Sequence, residues 1–192
     1  MCVWLTWRPD SSFFQLLLDA DLRLTRKLQE GRCPRCGGRL DRADYFRKPR
    51  GDLESAGEAM DRRFSLCCAR DGCRRRLTPP SMRFLGRKVY YGAWILVVCA
   101  VWLLGVAVGE RIVGVPRRTI RRWLGFWSVD FPTTELWRVR RAWFMPPIDD
   151  SLLPLSLLDR FAEAEVPIEA LLGTLDIVRP ITTISAPRSM AC

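Results

Sequence analysis

The chain has 192 residues, 48% hydrophobic and 27% charged, which suits one ordinary domain or two or three very small ones and is too apolar for a disordered chain. A formal net charge of +10 and a pI near 9.7 point to a polyanionic partner, either nucleic acid or an anionic membrane face. The absence of histidine excludes histidine acid–base catalysis, Ser-His-Asp triads, Cys-His nucleophile pairs and Cys2His2 fingers.

The N-terminus, MCVWLTWRPD, lacks the charged-then-apolar order of a signal peptide. Eight cysteines without such a signal fit a reducing, cytoplasmic setting, where paired thiols serve as metal ligands more often than as disulfides. Residues 10–30 follow as an amphipathic helix, with Asp10 or Ser11 as N-cap, Gly31 as its stop, and Phe14, Leu17, Leu18, Leu22 and Leu28 as most of its buried stripe. Over 31–78 the pattern changes to short segments broken by Gly and Pro, a small β structure, with the polar stretch 53–61 as a loop between strands.

Within that β region, Cys33-Pro-Arg-Cys36-Gly-Gly sets two thiolates on a tight knuckle. Cys67-Cys68-Ala-Arg-Asp-Gly-Cys73 supplies a second pair about thirty residues later. Cys33, Cys36, Cys68 and Cys73 make a four-thiolate set for one structural Zn²⁺, with no open position for chemistry. Cys67 is the alternate to Cys68, pointing to the other face of its strand; Asp71-Gly72 favours the shorter turn from Cys68. Arg74, Arg75 and Arg76 directly follow the last ligand, well placed for phosphate contacts, although charge on so small a fold also serves solubility.

TPPS at 78–81 breaks the chain before VYYGAWILVVCAVWLLGVAVG, an uncharged run over 89–109 that invites a membrane-spanning reading. Basic residues flank it on both sides, which defeats the usual charge asymmetry of a span. With Gly105 as a break, the run is better read as a buried helix whose Tyr90, Tyr91, Trp94 and Trp102 pack on Ile120, Trp123 and Trp127, the N- or C-terminal helices completing its walls. Next, ERIVGVPRRTIRRWLGFW over 110–127 has the pattern of a helix-turn-helix. A short helix carries Ile112 and Val113, a turn falls at Gly114, Val115 plugs the core, and a second helix starts at Pro116. Its apolar residues lie on one arc and Arg117, Arg118, Arg121 and Arg122 on another, which with Thr119 makes a candidate DNA-reading surface. MPPIDD at 145–150 ends this block, and one or two short amphipathic helices close the chain before a frayed C-terminus.

CPRCGG together with FSLCCARDGCRRRLTPPS resembles the N-terminal zinc ribbons of bacterial insertion-sequence proteins. GVPRRTIRRW resembles the helix-turn-helix that follows such ribbons in transposases and their accessory proteins. Over residues 31–127 the resemblance implies zinc at Cys33, Cys36, Cys68 and Cys73 and DNA contact by the arginines of 117–122. It stops short of the catalytic domain of transposases: the carboxylates after Trp127, including Asp149, Asp150, Asp159, Glu163, Glu165, Glu169 and Asp176, lie on helix-like or linker sequence with no strand series to converge them on Mg²⁺.

The expectation is an α+β, mainly α chain: an N-terminal helix (1–30), a zinc ribbon (31–81), a helix-turn-helix domain with a buried first helix (82–144) and a C-terminal helical tail (145–192). Its function would be non-catalytic binding of double-stranded DNA at the nucleoid, without membrane or small-molecule substrate. A transposase or recombinase is a candidate partner, and the C-terminal helices are candidates for homodimer formation. The competing readings are a zinc-ribbon protein–protein adaptor and a single-span membrane protein.

Overall fold

The computed structural model describes residues 10–47, 49, 58–85, 90–105, 115–162 and 167–182. These residues are mainly helical, with short antiparallel strands, and fall into two compact units, one within Pro9–Val89 together with Arg179–Thr182 and one within Tyr90–Val178. The N-terminal helix therefore shares a unit with the cysteine-bearing strands. The segment from Pro146 to Val178 shares one with the apolar run and the second basic block.

In the first unit, helix α1 (Ser11–Glu30) starts because Asp10 is extended and its carboxylate accepts from the Phe13 amide at 2.8 Å and the Ser12 hydroxyl at 2.7 Å. Those two bonds, the amide first, hold the Asp10 carboxyl below its ordinary range. Gly31 caps the far end with ordinary right-handed dihedrals, φ −69°, and the left-handed residue is instead Arg32, φ 58°. The buried line of α1 is Phe13, Phe14, Leu17, Asp21 and Thr25, while Leu18, Leu22 and Leu28 are half-buried. The expected leucine stripe is thus corrected: the helix is turned so that a carboxylate faces inward.

That carboxylate has partners. Asp21 accepts from Ser81 Oγ (2.6 Å), the Met82 amide (2.5 Å) and Arg83 Nε (2.8 Å), with both side chains of the ion pair essentially inaccessible. Arg83 also donates from Nη1 to the Met60 carbonyl (3.1 Å) and from Nη2 to the Arg62 carbonyl (2.9 Å), and its guanidinium lies over Phe64, 4.6 Å from the ring centroid. A second buried arginine, Arg63, donates to the Pro79 carbonyl at 2.7 Å; burial lowers its pKa to about 10, leaving it charged at neutral pH. These bonds tie the Pro79–Arg83 segment to α1 and the strands.

The strands are β1 (Leu40–Arg42), β2 (Tyr45–Phe46), β3 (Arg62–Arg63), β4 (Leu66–Cys68) and β5 (Arg76–Leu77). β4 lies between β1 and β5, antiparallel to both, and β2 pairs with β3. The polar stretch before β3 ends in a 3-10 turn, Glu58–Asp61; residues 53–57 lie outside the described residues. Gln29 of α1 donates to the Leu40 carbonyl at 2.8 Å, fastening helix to sheet.

The second unit is built on helix α2 (Gly92–Leu103), buried on all sides from Gly92 to Val101. Its walls are helices α3 (Arg117–Gly125), α5 (Leu155–Phe161) and α6 (Pro167–Val178). At 12 residues α2 is roughly 18 Å long, against ~30 Å of bilayer core, and Gly105 at φ 72° ends it. Among the described residues no helix is long and apolar enough to cross a membrane. Tyr90 packs edge-on against Trp123, ring centroids 5.0 Å apart. Beyond a π-helical turn (Phe126–Asp130), rings follow one another from Trp127 to Phe131 (5.0 Å), Trp137 (5.1 Å) and Phe144 (6.3 Å). Helix α4 (Glu135–Arg140) is capped by the Thr134 hydroxyl. Gly173 permits α6 to lie on Phe161, since a Cβ there would stand 2.7 Å from the ring.

Candidate metal centre and basic helix

The first cysteine pair sits on the chain between α1 and β1; of the second pair, Cys68 ends β4 and Cys73 lies on the turn from β4 to β5. In the first knuckle Gly37, at φ 67°, donates its amide to the Cys33 carbonyl at 2.8 Å, and the Cys33 amide donates to the Gly38 carbonyl at 2.9 Å. That closure turns the Arg35 amide toward the Cys33 sulfur and the Gly38 amide toward the Cys36 sulfur. In the second knuckle the Arg70 amide faces the Cys68 sulfur, and Gly72 at φ 81° makes the turn back to Cys73. Gly38 also lies close against the sulfurs: a Cβ there would stand 3.0 Å from Cys68 Sγ and 3.3 Å from Cys36 Sγ.

The four sulfurs of Cys33, Cys36, Cys68 and Cys73 all lie within 4.8 Å of one another, with Cys36–Cys68 at 3.5 Å and Cys33–Cys73 at 3.8 Å. Four thiolates at ~2.3 Å from a tetrahedral Zn²⁺ have edges of ~3.8 Å, so the set fits one ion of that size. Among the described residues this is the one set of metal-ligating groups that converges. Electrostatics points the same way. The Arg35 amide lowers the Cys33 thiol to about 6, and the Gly38 amide lowers Cys36. At Cys68 the Arg70 amide pulls down, but burial and the neighbouring Cys36, Cys33 and Cys73 sulfurs outweigh it and push the thiol up to about 12. The knuckle amides thus favour the thiolate form at Cys33 and Cys36, and crowding by the other sulfurs opposes it at Cys68, where a cation would favour it.

Strand alternation explains the choice between the adjacent cysteines. Leu40 lies opposite Cys68 and Leu66 opposite Leu77, whereas Cys67 lies opposite Asp41 on one side and Arg76 on the other. Cys68 is fully buried in the small core of Cys33, Leu40 and Leu66. Cys67 faces away, its thiol 3.6 Å from the Arg74 carbonyl. Two tie points were not evident from the spacing. Arg70 reaches from the second knuckle to the Cys36 carbonyl of the first at 3.2 Å, and Leu28 of α1 packs on the cysteine core. Arg74, Arg75 and Arg76 are all exposed.

In the second unit, α3 begins at Arg117, just after Pro116, whose carbonyl accepts from the Thr119 (2.8 Å) and Ile120 (3.2 Å) amides. Val115, Ile120, Trp123 and Trp127 are buried, and Leu124 and Thr119 are half-buried. Arg117, Arg118, Arg121 and Arg122 are exposed. No acid occupies the first turn, so two arginines add to the positive end of the helix dipole, an arrangement that costs helix stability and favours an anion. The expected first helix, with Ile112, Val113 and Gly114, lies outside the described residues. Downstream carboxylates have structural partners: Asp149 accepts from the Ser151 amide at 2.9 Å, and Asp150 holds Trp137 Nε1 (2.8 Å) and Arg141 (2.9 Å). Glu163 and Glu165 lie outside the described residues.

Compared with known proteins, the chain matches no family model, no curated sequence and no solved structure.

Proposed function

We propose that the chain is a zinc-dependent, non-catalytic DNA-binding protein. In this reading the four-cysteine unit is a zinc ribbon, and α3 is the recognition helix of a helix-turn-helix. The observation that carries it is the division of α3: Ile120 and Trp123 seal one side into an aromatic core, and four exposed arginines occupy the other beside an uncapped helix N-terminus. Zinc follows from the thiolate set, which is soft, closed and tetrahedral in spacing, and suits structure rather than catalysis. Arg74, Arg75 and Arg76 add phosphate contacts from the other unit, and Thr119 lies among the α3 contacts. The resemblance to insertion-sequence proteins supports an accessory or regulatory role beside a transposase or recombinase, at the nucleoid.

Changing Arg117, Arg118, Arg121 and Arg122 together to Ala is expected to lower the slope of log affinity against log salt by roughly 3 to 4, since each neutralised phosphate contributes ~0.9. Fluorescence anisotropy on a labelled duplex across salt concentrations reads this directly. An unchanged slope removes α3 from the DNA interface. The adaptor reading has one observation in its favour: Trp143 and Met145 are 65% and 82% exposed, an unusual investment for a monomer surface. Pull-down of a recombinase after nuclease treatment distinguishes the two.

A further inference from the structure

Among the described residues, two that are not glycine have positive φ, and both are arginines beside the cysteine cluster: Arg32 at 58° and Arg74 at 41°. L-residues with a Cβ are disfavoured there, and glycine or asparagine is the ordinary solution at a helix end or knuckle exit. Arg32 immediately precedes Cys33 and Arg74 immediately follows Cys73, and those two cysteines are the pair whose sulfurs lie 3.8 Å apart. Two exposed arginines, 42 residues apart in sequence, thus flank the two cysteines that share that sulfur edge. Arg35, on the first knuckle, and Arg75, after the second, are exposed as well; the nearby acids in sequence are Glu30 and Asp71.

We propose that Arg32 and Arg74 form a metal-assembled clamp for the phosphate backbone of DNA, held in place by the Cys33–Cys73 edge of the cluster. The inference rests on the DNA-binding reading and adds to the Arg74–Arg76 contact a second arginine, Arg32, and a dependence of that surface on the metal, whereas α3 belongs to a unit without it. Backbone strain retained at two places beside the same pair of cysteines, for the same side chain, is accounted for by what that side chain binds. The guanidinium is the fitting group, since it meets phosphate oxygens with two parallel N–H donors. A charge-balancing role toward the anionic thiolate centre is the competing explanation, and it predicts a different loss.

The test uses the full chain loaded with zinc and a fluorescein-labelled duplex of random sequence. The variant Arg32→Gly/Arg74→Gly accepts both backbone conformations without a Cβ and is expected to retain one zinc and melt near the wild-type temperature. Its salt slope should fall by about 2, and Arg32→Lys/Arg74→Lys should recover most of that slope by restoring charge. A wild-type slope in the glycine variant, while the α3 variant loses its own, overturns the clamp and leaves the DNA-binding reading standing. Loss of zinc from the glycine variant with the slope unchanged also overturns it, in favour of charge balance. Absence of duplex binding by the wild-type chain overturns both.

Discussion

Cys68→Ser is expected to abolish zinc retention and unfold the two knuckles with the strands between them, while Cys67→Ser leaves one zinc bound per chain. The two residues are adjacent and chemically identical, so the contrast depends wholly on strand alternation. Cys68 points into the core with its sulfur 3.5 Å from Cys36, and Cys67 lies between Asp41 and Arg76 on the outer face. The cost of losing the metal is large for this part of the Pro9–Val89 unit because its core is small: Leu40 and Leu66 are buried beside Cys33 and Cys68, under strands two or three residues long, while the buried face of α1 and the Asp21–Arg83 pair lie outside that cluster. Structural zinc contributes about 10 to 16 kcal/mol in small domains of this kind, well above the stability that such a core supplies. Metal content by atomic absorption after dialysis, with circular dichroism of the same samples, checks both variants. Equal zinc in the two would mean that the register of β4 is wrong.

The second large effect concerns the buried ion pair. Asp21→Ala is expected to destabilise the same unit by about 3 to 5 kcal/mol, because it strands the Arg83 guanidinium in a dry interior. It also leaves the Ser81 hydroxyl and the Met82 amide without their acceptor. Replacing both partners, Asp21→Leu with Arg83→Met, should cost less than the single change, since a buried pair offsets much of its own desolvation. Urea denaturation of the zinc-loaded proteins measures the difference. A double variant less stable than Asp21→Ala would show that Arg83 acts mainly through the Met60 and Arg62 carbonyls and the Phe64 ring rather than through Asp21.

The parts of this fold that were legible in the sequence are those with a local signature. The knuckle spacing brought out Cys33, Cys36 and Cys73, with Cys68 preferred to Cys67 by its shorter turn. The unbroken apolarity of residues 93–101 showed that the helix must be covered on every side. The apolar arc of α3 showed which of its side chains would be sealed. Non-local chemistry was not legible. Asp21 and Arg83 are 62 residues apart, and nothing in the periodicity of either segment indicates that they meet; the leucines of α1 therefore looked like the better inward face. The end of α1 misled for a different reason. Gly31 is the natural left-handed residue, yet it keeps φ −69° and hands the strained conformation to Arg32, so that the chain enters the knuckle one residue later.

The central claim is that zinc and DNA binding belong to one device, and duplex affinity measured across salt concentrations with and without a zinc chelator tests it most directly. The account predicts a steep fall of affinity with salt for the zinc-loaded chain, reflecting several neutralised phosphates, and a weaker, shallower dependence once the metal is removed. Affinity that is absent, insensitive to salt, or identical in the presence of the chelator would contradict it.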